Sequence, residues 1–243
     1  MEKKWFILII AIVSLFNSYA MAQPYINAGR NLIVTEGTAE VTGQNDSALI
    51  SLAVVTNGKD LEEVSTENAV KTRKVMKSIR SLDIKNLDLN TSEYNVIPQR
   101  DYKLRPPRIM GYEVHNSIIV KLEKFEPEKL SVIVSRIIGL SLESGANNIQ
   151  SVQLYIKDKN IYEKQALNSA VKEAMERAET LAKAAGVKIE RIVSITTQPI
   201  DNPQKPLMLR SAGPIMETDV SSPPIEIGES TVRVVVNMVF EID

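Results

Sequence analysis

The chain has 243 residues, no cysteine and one histidine, and its 29 lysine and arginine residues nearly balance 30 aspartate and glutamate residues. The absence of cysteine excludes disulfides, thiol nucleophiles and thiolate metal sites, and a single histidine excludes His–His metal pairs. A net charge of -1 and an aromatic content of 5% argue against binding to nucleic acid or stacking on carbohydrate.

Residues 1–22 have the three-part pattern of a secretory signal peptide. Lys3 and Lys4 precede an uncharged apolar run from Trp5 to Phe16, and a small-x-small motif predicts cleavage after Ala22. The alternative is a membrane anchor, but a spanning helix needs roughly 20 apolar residues. The sequence therefore predicts an exported chain with a single domain at 23–243 and no stable membrane anchor after cleavage.

A strand pair and a helix follow. Alternating apolar residues predict strands at Leu32–Val41 and Ala48–Val55, joined as a hairpin by a turn-rich segment. A helix is predicted from Leu61 to about Ser81, because Asp60 and Glu63 have the spacing of a capping box. Its expected apolar face consists of Leu61, Val64, Ala69, Met76 and Ile79.

The next two predicted strands, Asp88–Ile97 and Gly111–Glu123, flank a proline-containing loop. The single histidine, His115, falls on the polar face of the second strand and is interpreted as a solvated residue, because no nucleophile motif such as G-x-S-x-G occurs. The loop groups four cations that are candidate contacts for a partner or an anionic ligand, with a simply solvated loop as the alternative. These cations are Arg100, Lys103, Arg105 and Arg108.

The second helix is predicted to begin at Pro127 and to stop at Gly145, and a strand follows at Ile149–Ile156. A third helix is predicted from a capping box at Asn160 and Glu163 to a stop at Gly186. Alanine recurs along one face, which indicates either close packing on the chain's own sheet or a helix–helix contact between copies. The opposite face carries an i, i+4 pair of Glu173 and Arg177; the alanine stripe is Ala166, Ala170, Ala174, Ala178 and Ala182.

Two last strands are predicted at Arg191–Thr197 and Ile225–Phe240. Between them, residues 198–224 contain six of the eleven prolines together with several apolar residues and no periodic pattern. A connection of this length is usually functional or disordered. We interpret it as an arm that either stays loose or orders against a neighbouring subunit.

The predicted order ββα-ββα-βα-ββ is typical of an α+β fold, with three helices packed on a mainly antiparallel sheet. Neither phosphate-binding glycine motif occurs, and nothing singles out a catalytic, cofactor-binding or metal-binding residue. We therefore expect no cofactor.

These elements together resemble the SIMPL domain family of exported bacterial proteins, which includes periplasmic immunogenic proteins and YggE-like proteins. The matching features run in order over 32–240: the strand Glu36-Gly37-Thr38-Ala39-Glu40-Val41, Asn68, Thr91, Pro98, Tyr102, Gly111-Tyr112, Asn116, Gly145-Ala146, Ile149, and the helix from Ala166-Leu167 to Ala185-Gly186. The chain departs from the family at Gln44-Asn45-Asp46, where relatives carry Pro-Asp. The resemblance implies a sheet-plus-helix fold, a periplasmic location in a Gram-negative bacterium, homo-oligomers and a link to oxidative stress tolerance, without catalytic residues.

The function expected is therefore that of a non-enzymatic periplasmic protein that self-assembles and supports the envelope under stress. The alternative is a module that binds a small ligand or partner protein through the loop of four cations. An enzyme with a carboxylate or Ser/Lys mechanism is a third hypothesis, which no residue pattern favours.

Overall fold

The computed structural model describes residues 30–200 and 224–243, and the side chains of all of these except 198–200. The predicted signal peptide and most of the proline-rich segment 198–224 lie outside this part of the chain. The elements are β1 (Leu32–Gln44), β2 (Ser47–Gly58), α1 (Leu61–Arg80), β3 (Leu87–Asp101), β4 (Arg108–Leu122), α2 (Pro127–Ser144), β5 (Asn148–Tyr155), α3 (Asn160–Ala185), β6 (Ile189–Ile200) and β7 (Glu229–Ile242).

The α+β class and the predicted element order are confirmed. The strands divide into two antiparallel sheets, one with the order β3-β4-β2-β5 and one with the order β1-β7-β6. Helices α1 and α2 pack on the four-stranded sheet, and α3 packs on the three-stranded sheet. Among the helices of residues 30–200 and 224–243, none has the length and apolar character of a membrane span.

The predicted β1–β2 hairpin is wrong. The two strands belong to different sheets, since β1 pairs with β7 while β2 pairs with β4 and β5. Only Asn45 and Asp46 separate them, and both are held by other elements: the Asn45 N–H donates to the Gly228 carbonyl, and the Asp46 carbonyl accepts from Phe125 N–H at 2.8 Å. The turn-forming residues therefore carry the chain from one sheet into the other.

The four-stranded sheet and its helices enclose the larger core. In this core, buried apolar side chains of β2 and β4 pack against those of α1 and α2. Their burial supplies most of the hydrophobic stabilisation of the four-stranded sheet and its helices. The fully buried members with the largest side chains include Ile50, Leu52, Ile79, Ile118, Leu122, Leu130 and Ile137.

The buried face of helix α1 agrees with the predicted one only in part: Val64 and Ile79 are buried as predicted. Leu61 is exposed, whereas Asn68 and Thr72 are buried beside the apolar residues of the helix. Asn68 is fully buried and donates to the carbonyls of Val54 and Val114 at 2.9 and 3.1 Å. A buried amide is tolerated because these hydrogen bonds replace its contacts with water.

The predicted helix ends are mostly confirmed. Asp60 Oδ1 accepts from the Glu63 N–H at 3.0 Å, α2 begins at Pro127, and the left-handed residues Gly145 and Gly186 end α2 and α3. The capping box at Asn160 is wrong. Asn160 is the first helical residue, and its N–H is satisfied from outside the helix by Asp158 Oδ1 at 3.1 Å.

The alanine stripe of α3 packs on the chain's own sheet, against β1 and β7. A β-carbon added to Gly37 would lie 1.9 Å from the carbonyl oxygen of Ala170 and 2.7 Å from the amide nitrogen of Ala174. Small residues on both sides therefore let the helix backbone touch the strand backbone.

The last predicted strand starts too early, because β7 begins at Glu229 rather than Ile225. Ile225 and Ile227 belong instead to the core of the four-stranded sheet, and the Ser131 hydroxyl of α2 donates to the Ile225 carbonyl. The segment 224–228 thus ties the two sheets together before the chain enters β7.

Candidate functional site

The β3–β4 hairpin is longer than the sheet that carries it. Strand β2 pairs with β4 only as far as Gly58 and Tyr112, whereas the β3–β4 register continues to Asp101 and Arg108. Residues 99–111, called the hairpin tip below, therefore project beyond β2. At their base the two backbones touch, because a β-carbon on Gly111 would lie 2.7 Å from the Gly58 carbonyl oxygen.

The hairpin tip brings together all four cations singled out in the sequence. Arg100 lies at the end of β3, Arg108 at the start of β4, and Lys103 and Arg105 in the connecting turn. All four are exposed. The turn is held by Asp101, whose Oδ1 accepts from the Lys103 N–H at 2.8 Å.

The same tip exposes large apolar side chains. Tyr102 is 77% exposed and Met110 is 57% exposed, and Leu104 and Ile109 are exposed beside them. Single exposed apolar residues are normal on a protein surface, but four within thirteen residues of one projecting hairpin make a patch. The sequence predicted the cations of this site and missed its apolar part, whose signal was the run Tyr102, Leu104, Ile109 and Met110 between charged residues.

His115 takes no part in the tip. It lies in the middle of β4, half-buried, and its Nε2 is 2.5 Å from Glu113 Oε1. Within residues 30–200 and 224–243, no group of three histidine, aspartate or glutamate side chains has the geometry of a metal site.

A second surface lies on the three-stranded sheet, whose two edges differ. At the β1 edge, two side chains of α3 bind two backbone groups of the strand. Glu173 Oε2 accepts from the Thr38 N–H at 2.7 Å, and Arg177 donates to the Glu36 carbonyl at 2.8 Å. The predicted Glu173–Arg177 ion pair is present, and it also binds the backbone of this edge strand at Glu36 and Thr38.

The β6 edge is open in the described part of the chain. Helix α3 lies over β1 and β7 and barely contacts β6. Ile192 and Ile195 pair with Phe240 and Met238, so they lie on the helix side of the sheet, yet they are 43% and 50% exposed. A groove of about 250 Å³ lies further along the same edge between α3 and β6, lined by Asn160, Glu163, Lys164, Leu167, Thr197 and Val234. We call Ile192 and Ile195 with this groove the β6 strip.

A third feature is a carboxylate held by two ammonium groups at the end of β4. Glu123 Oε1 lies 2.5 Å from Lys121 Nζ and 2.6 Å from Lys157 Nζ. Hydrogen bonds from these two lysines lower the pKa of Glu123 from 4.5 to about 2. Burial is the main cause that raises the pKa of the neighbouring Tyr155. The arrangement keeps Glu123 ionised and joins β4 to the residues after β5, a structural role.

Comparison with known proteins places these surfaces in context. The family model SIMPL, described as a protein of unknown function (DUF541), matches residues 33–240. The 26 kDa periplasmic immunogenic protein of Brucella melitensis biotype 1 is 30% identical over 96% of this chain and 94% of its own length. The protein of the same name from Brucella abortus (strain S19) is 29% identical over the same shares. The uncharacterized protein YggE of Escherichia coli K12 is 24% identical over 67% of this chain and 64% of its own.

Proposed function

This chain belongs to the SIMPL family, whose function is unknown. From that premise we propose that it is a non-enzymatic periplasmic protein that assembles with copies of itself. We propose further that it supports the cell envelope under stress, oxidative stress included. The names of the two Brucella relatives support the periplasmic location. The predicted signal peptide with cleavage after Ala22 supports it as well.

The observation that carries the assembly proposal is the β6 strip. An uncovered edge strand presents backbone donors and acceptors that another strand can pair with. Beside this edge, Ile192 and Ile195 and the groove next to α3 offer apolar surface that a second copy can remove from water.

The difference between the two edges favours one geometry. Because Glu173 and Arg177 bind the backbone of Thr38 and Glu36 in the middle of β1, head-to-tail pairing of β1 with β6 across these residues would have to displace them. Pairing of β6 with β6 needs no such change. It makes a two-fold symmetric contact in which both copies use the same surface, and it joins two three-stranded sheets into one of six strands.

The assembly proposal is tested by the native mass of the exported protein at micromolar concentration. We expect a dimer or a larger multiple of the chain. The double variant Ile192→Glu, Ile195→Glu should weaken association by roughly a hundredfold or more, because each copy would bury two unpaired carboxylates. Val70→Glu, Val132→Glu is the matched control, since both valines are exposed on helices of the other sheet.

A strictly monomeric wild-type protein would remove the assembly part of the proposal, and equal effects of the two double variants would remove the β6 strip. Replacement of residues 201–223 by a short Gly/Ser linker completes the set. An unchanged number of copies in the assembly would make that segment a linker, whereas dissociation into monomers would make it part of the interface.

The stress role is tested in cells that lack the protein. We expect lower survival after exposure to peroxide or to an envelope-damaging agent, restored by the wild-type protein and not by Ile192→Glu, Ile195→Glu. Full rescue by this variant at equal abundance would separate the stress role from assembly.

A second candidate function is a binding module, and the hairpin tip favours it. Four exposed cations and four exposed apolar side chains share one projecting element. If this function is correct, replacement of Arg100, Lys103, Arg105 and Arg108 by glutamine should abolish retention of a partner protein or ligand in a pull-down. Unchanged retention would count against this function.

A further inference from the structure

We propose that the hairpin tip is a membrane-binding element that attaches the protein reversibly to a bilayer containing anionic phospholipids. Tyr102, Leu104, Ile109 and Met110 enter the headgroup region, and the four cations contact the lipid phosphates. This inference rests on the binding-module candidate and is independent of self-assembly through β6.

The apolar part of the tip has the chemistry of an interfacial anchor. Tyr102 is the most exposed of the large apolar residues that the structure describes. Its aromatic ring suits the acyl side of the interface and its hydroxyl group suits the headgroup side. Leu104, Ile109 and Met110 add flexible apolar surface on either side of the turn. Transfer of such side chains from water to the boundary of the acyl chains is favourable.

The charge of the tip complements an anionic surface. Residues 99–111 carry four cations against the single carboxylate of Asp101, although the whole chain has a net charge of -1. Long lysine and arginine side chains place their charged ends at the phosphates while their stems pack on apolar surface. At the tip, unlike the cations of α1, positive charge is therefore combined with several exposed apolar side chains on one projecting element.

The hairpin itself carries few carboxylates close to its tip. Glu113 is the next acidic residue along β4, five residues after Arg108, and the strand rise places it about 16 Å further from the tip. This distance exceeds the Debye length of about 8 Å at physiological ionic strength. Within the hairpin itself, little negative charge therefore opposes the cations, and the next carboxylate in space, Asp60, lies near the base of the tip beside Gly111 and not at its end.

A second copy of this chain fits the tip less well. Arg191 beside the β6 strip is ion-paired with Glu241, and Glu163 and Lys164 both line its groove, so these charges cancel and supply no net negative charge for the tip. A bilayer with anionic headgroups supplies both the apolar interior and the negative charge.

The test is sedimentation of the exported protein, its N-terminus identified by mass spectrometry, with vesicles of phosphatidylglycerol and phosphatidylethanolamine. We expect binding that weakens when salt rises from about 0.1 M to about 0.5 M, and much weaker binding to phosphatidylcholine vesicles. Arg100→Gln, Lys103→Gln, Arg105→Gln, Arg108→Gln should lower the partition coefficient by at least roughly a hundredfold.

Two further variants keep the outcome decisive. Tyr102→Ser, Leu104→Ser should also lose binding while all four cations remain. Arg73→Gln, Lys74→Gln, Lys77→Gln, Arg80→Gln removes the same charge from the exposed side of α1 and should bind like the wild type. Circular dichroism shows whether each variant is folded.

No sedimentation of the wild type, or equal losses from the tip and α1 charge variants, would overturn the proposal. Unchanged binding after Tyr102→Ser, Leu104→Ser would mean that the protein adsorbs by charge alone, and it would overturn the proposal that the apolar side chains enter the bilayer. Tip variants that change the native mass but not vesicle binding would make the tip a contact between copies, which also overturns it. Vesicle binding that persists in Ile192→Glu, Ile195→Glu separates this result from the fate of the assembly proposal.

Discussion

At the scale of single residues, the polar groups inside and beside the larger core each have one structural task. Asn68 joins α1 to the carbonyls of two neighbouring strands, and Glu123 joins β4 to Lys157, which follows β5. Each of these two links depends on the charge and hydrogen bonds of one side chain. The contribution of each side chain to the free energy of unfolding can therefore be measured through an isosteric substitution.

Glu123 should make stability depend on acid. Its folded pKa, about 2, lies below the unfolded value near 4.5, so the stabilisation is complete above pH 4.5 and is lost as pH falls towards 2. The difference in unfolding free energy between wild type and Glu123→Gln, measured with urea, should shrink across this window. Lys157→Gln removes one of the two hydrogen-bond donors, so the pKa of Glu123 should rise and the loss of stability should occur at a higher pH. A difference independent of pH would refute the assignment.

Asn68→Asp should destabilise the protein by about 3 kcal/mol at pH 7, because it places a carboxylate against two carbonyl oxygens in a buried site. Burial favours the protonated form of the introduced acid, so the loss should be smaller below about pH 4. Chemical denaturation at both pH values measures it. The same substitution at the exposed Asn95 should have little effect, and equal losses at both positions would refute the buried-amide explanation.

At the scale of elements, α3 does two things for the three-stranded sheet. Its alanine face touches the β1 backbone at Gly37, and its Glu173–Arg177 pair binds two backbone groups of the same strand. Close approach brings both side chains within reach of the strand edge. The small residues and the charged pair are thus parts of one contact.

Gly37→Ala should destabilise the protein by about 3 kcal/mol, because the new methyl group meets the backbone of α3, which cannot rotate away. Gly43→Ala is the matched control, since the three atoms nearest its β-carbon would all belong to the side chain of Tyr162, which can move. Thermal and urea unfolding compare the two. A larger loss for Gly43→Ala would contradict the backbone contact.

At the scale of the whole molecule, two sheets with separate cores are joined at a small number of positions. Asn45 links them most directly, because its side chain donates to the Ile227 carbonyl at 2.9 Å and accepts from Ser230. Ile225 and Ile227 then insert into the larger core. The cooperativity of unfolding therefore depends on this junction.

Asn45→Ala should lower stability by about 2 kcal/mol and uncouple the sheets. Calorimetry is the measurement: the calorimetric enthalpy should exceed the van't Hoff enthalpy in the variant more than in the wild type. Thr42→Ala, whose hydroxyl lies in an exposed contact with Thr231, is the control. An unchanged enthalpy ratio in Asn45→Ala would show that the apolar contacts of Ile225 and Ile227 couple the sheets by themselves.

Local sequence patterns were sufficient to predict which segments form strands and helices. Gly145, Gly186, Pro127 and the Asp60 cap end or begin helices through their own backbone preferences, and the alternation in β4 follows the pleat. The α+β class follows from the order of these elements. The four cations of the hairpin tip were also visible, because charge requires no partner to be recognised.

The tertiary structure alone decided the pairing of β1 and β2 with different sheets, the burial of Asn68 and the exposure of Ile192 and Ile195. Periodicity reports that one face of an element is apolar, but it does not say which element covers that face. Asn68 shows the converse: an amide is buried where distant carbonyls receive its hydrogen bonds. Local residue preferences thus determined the type and order of the elements. The interaction surfaces were determined by which elements pack against one another and which faces that packing leaves exposed.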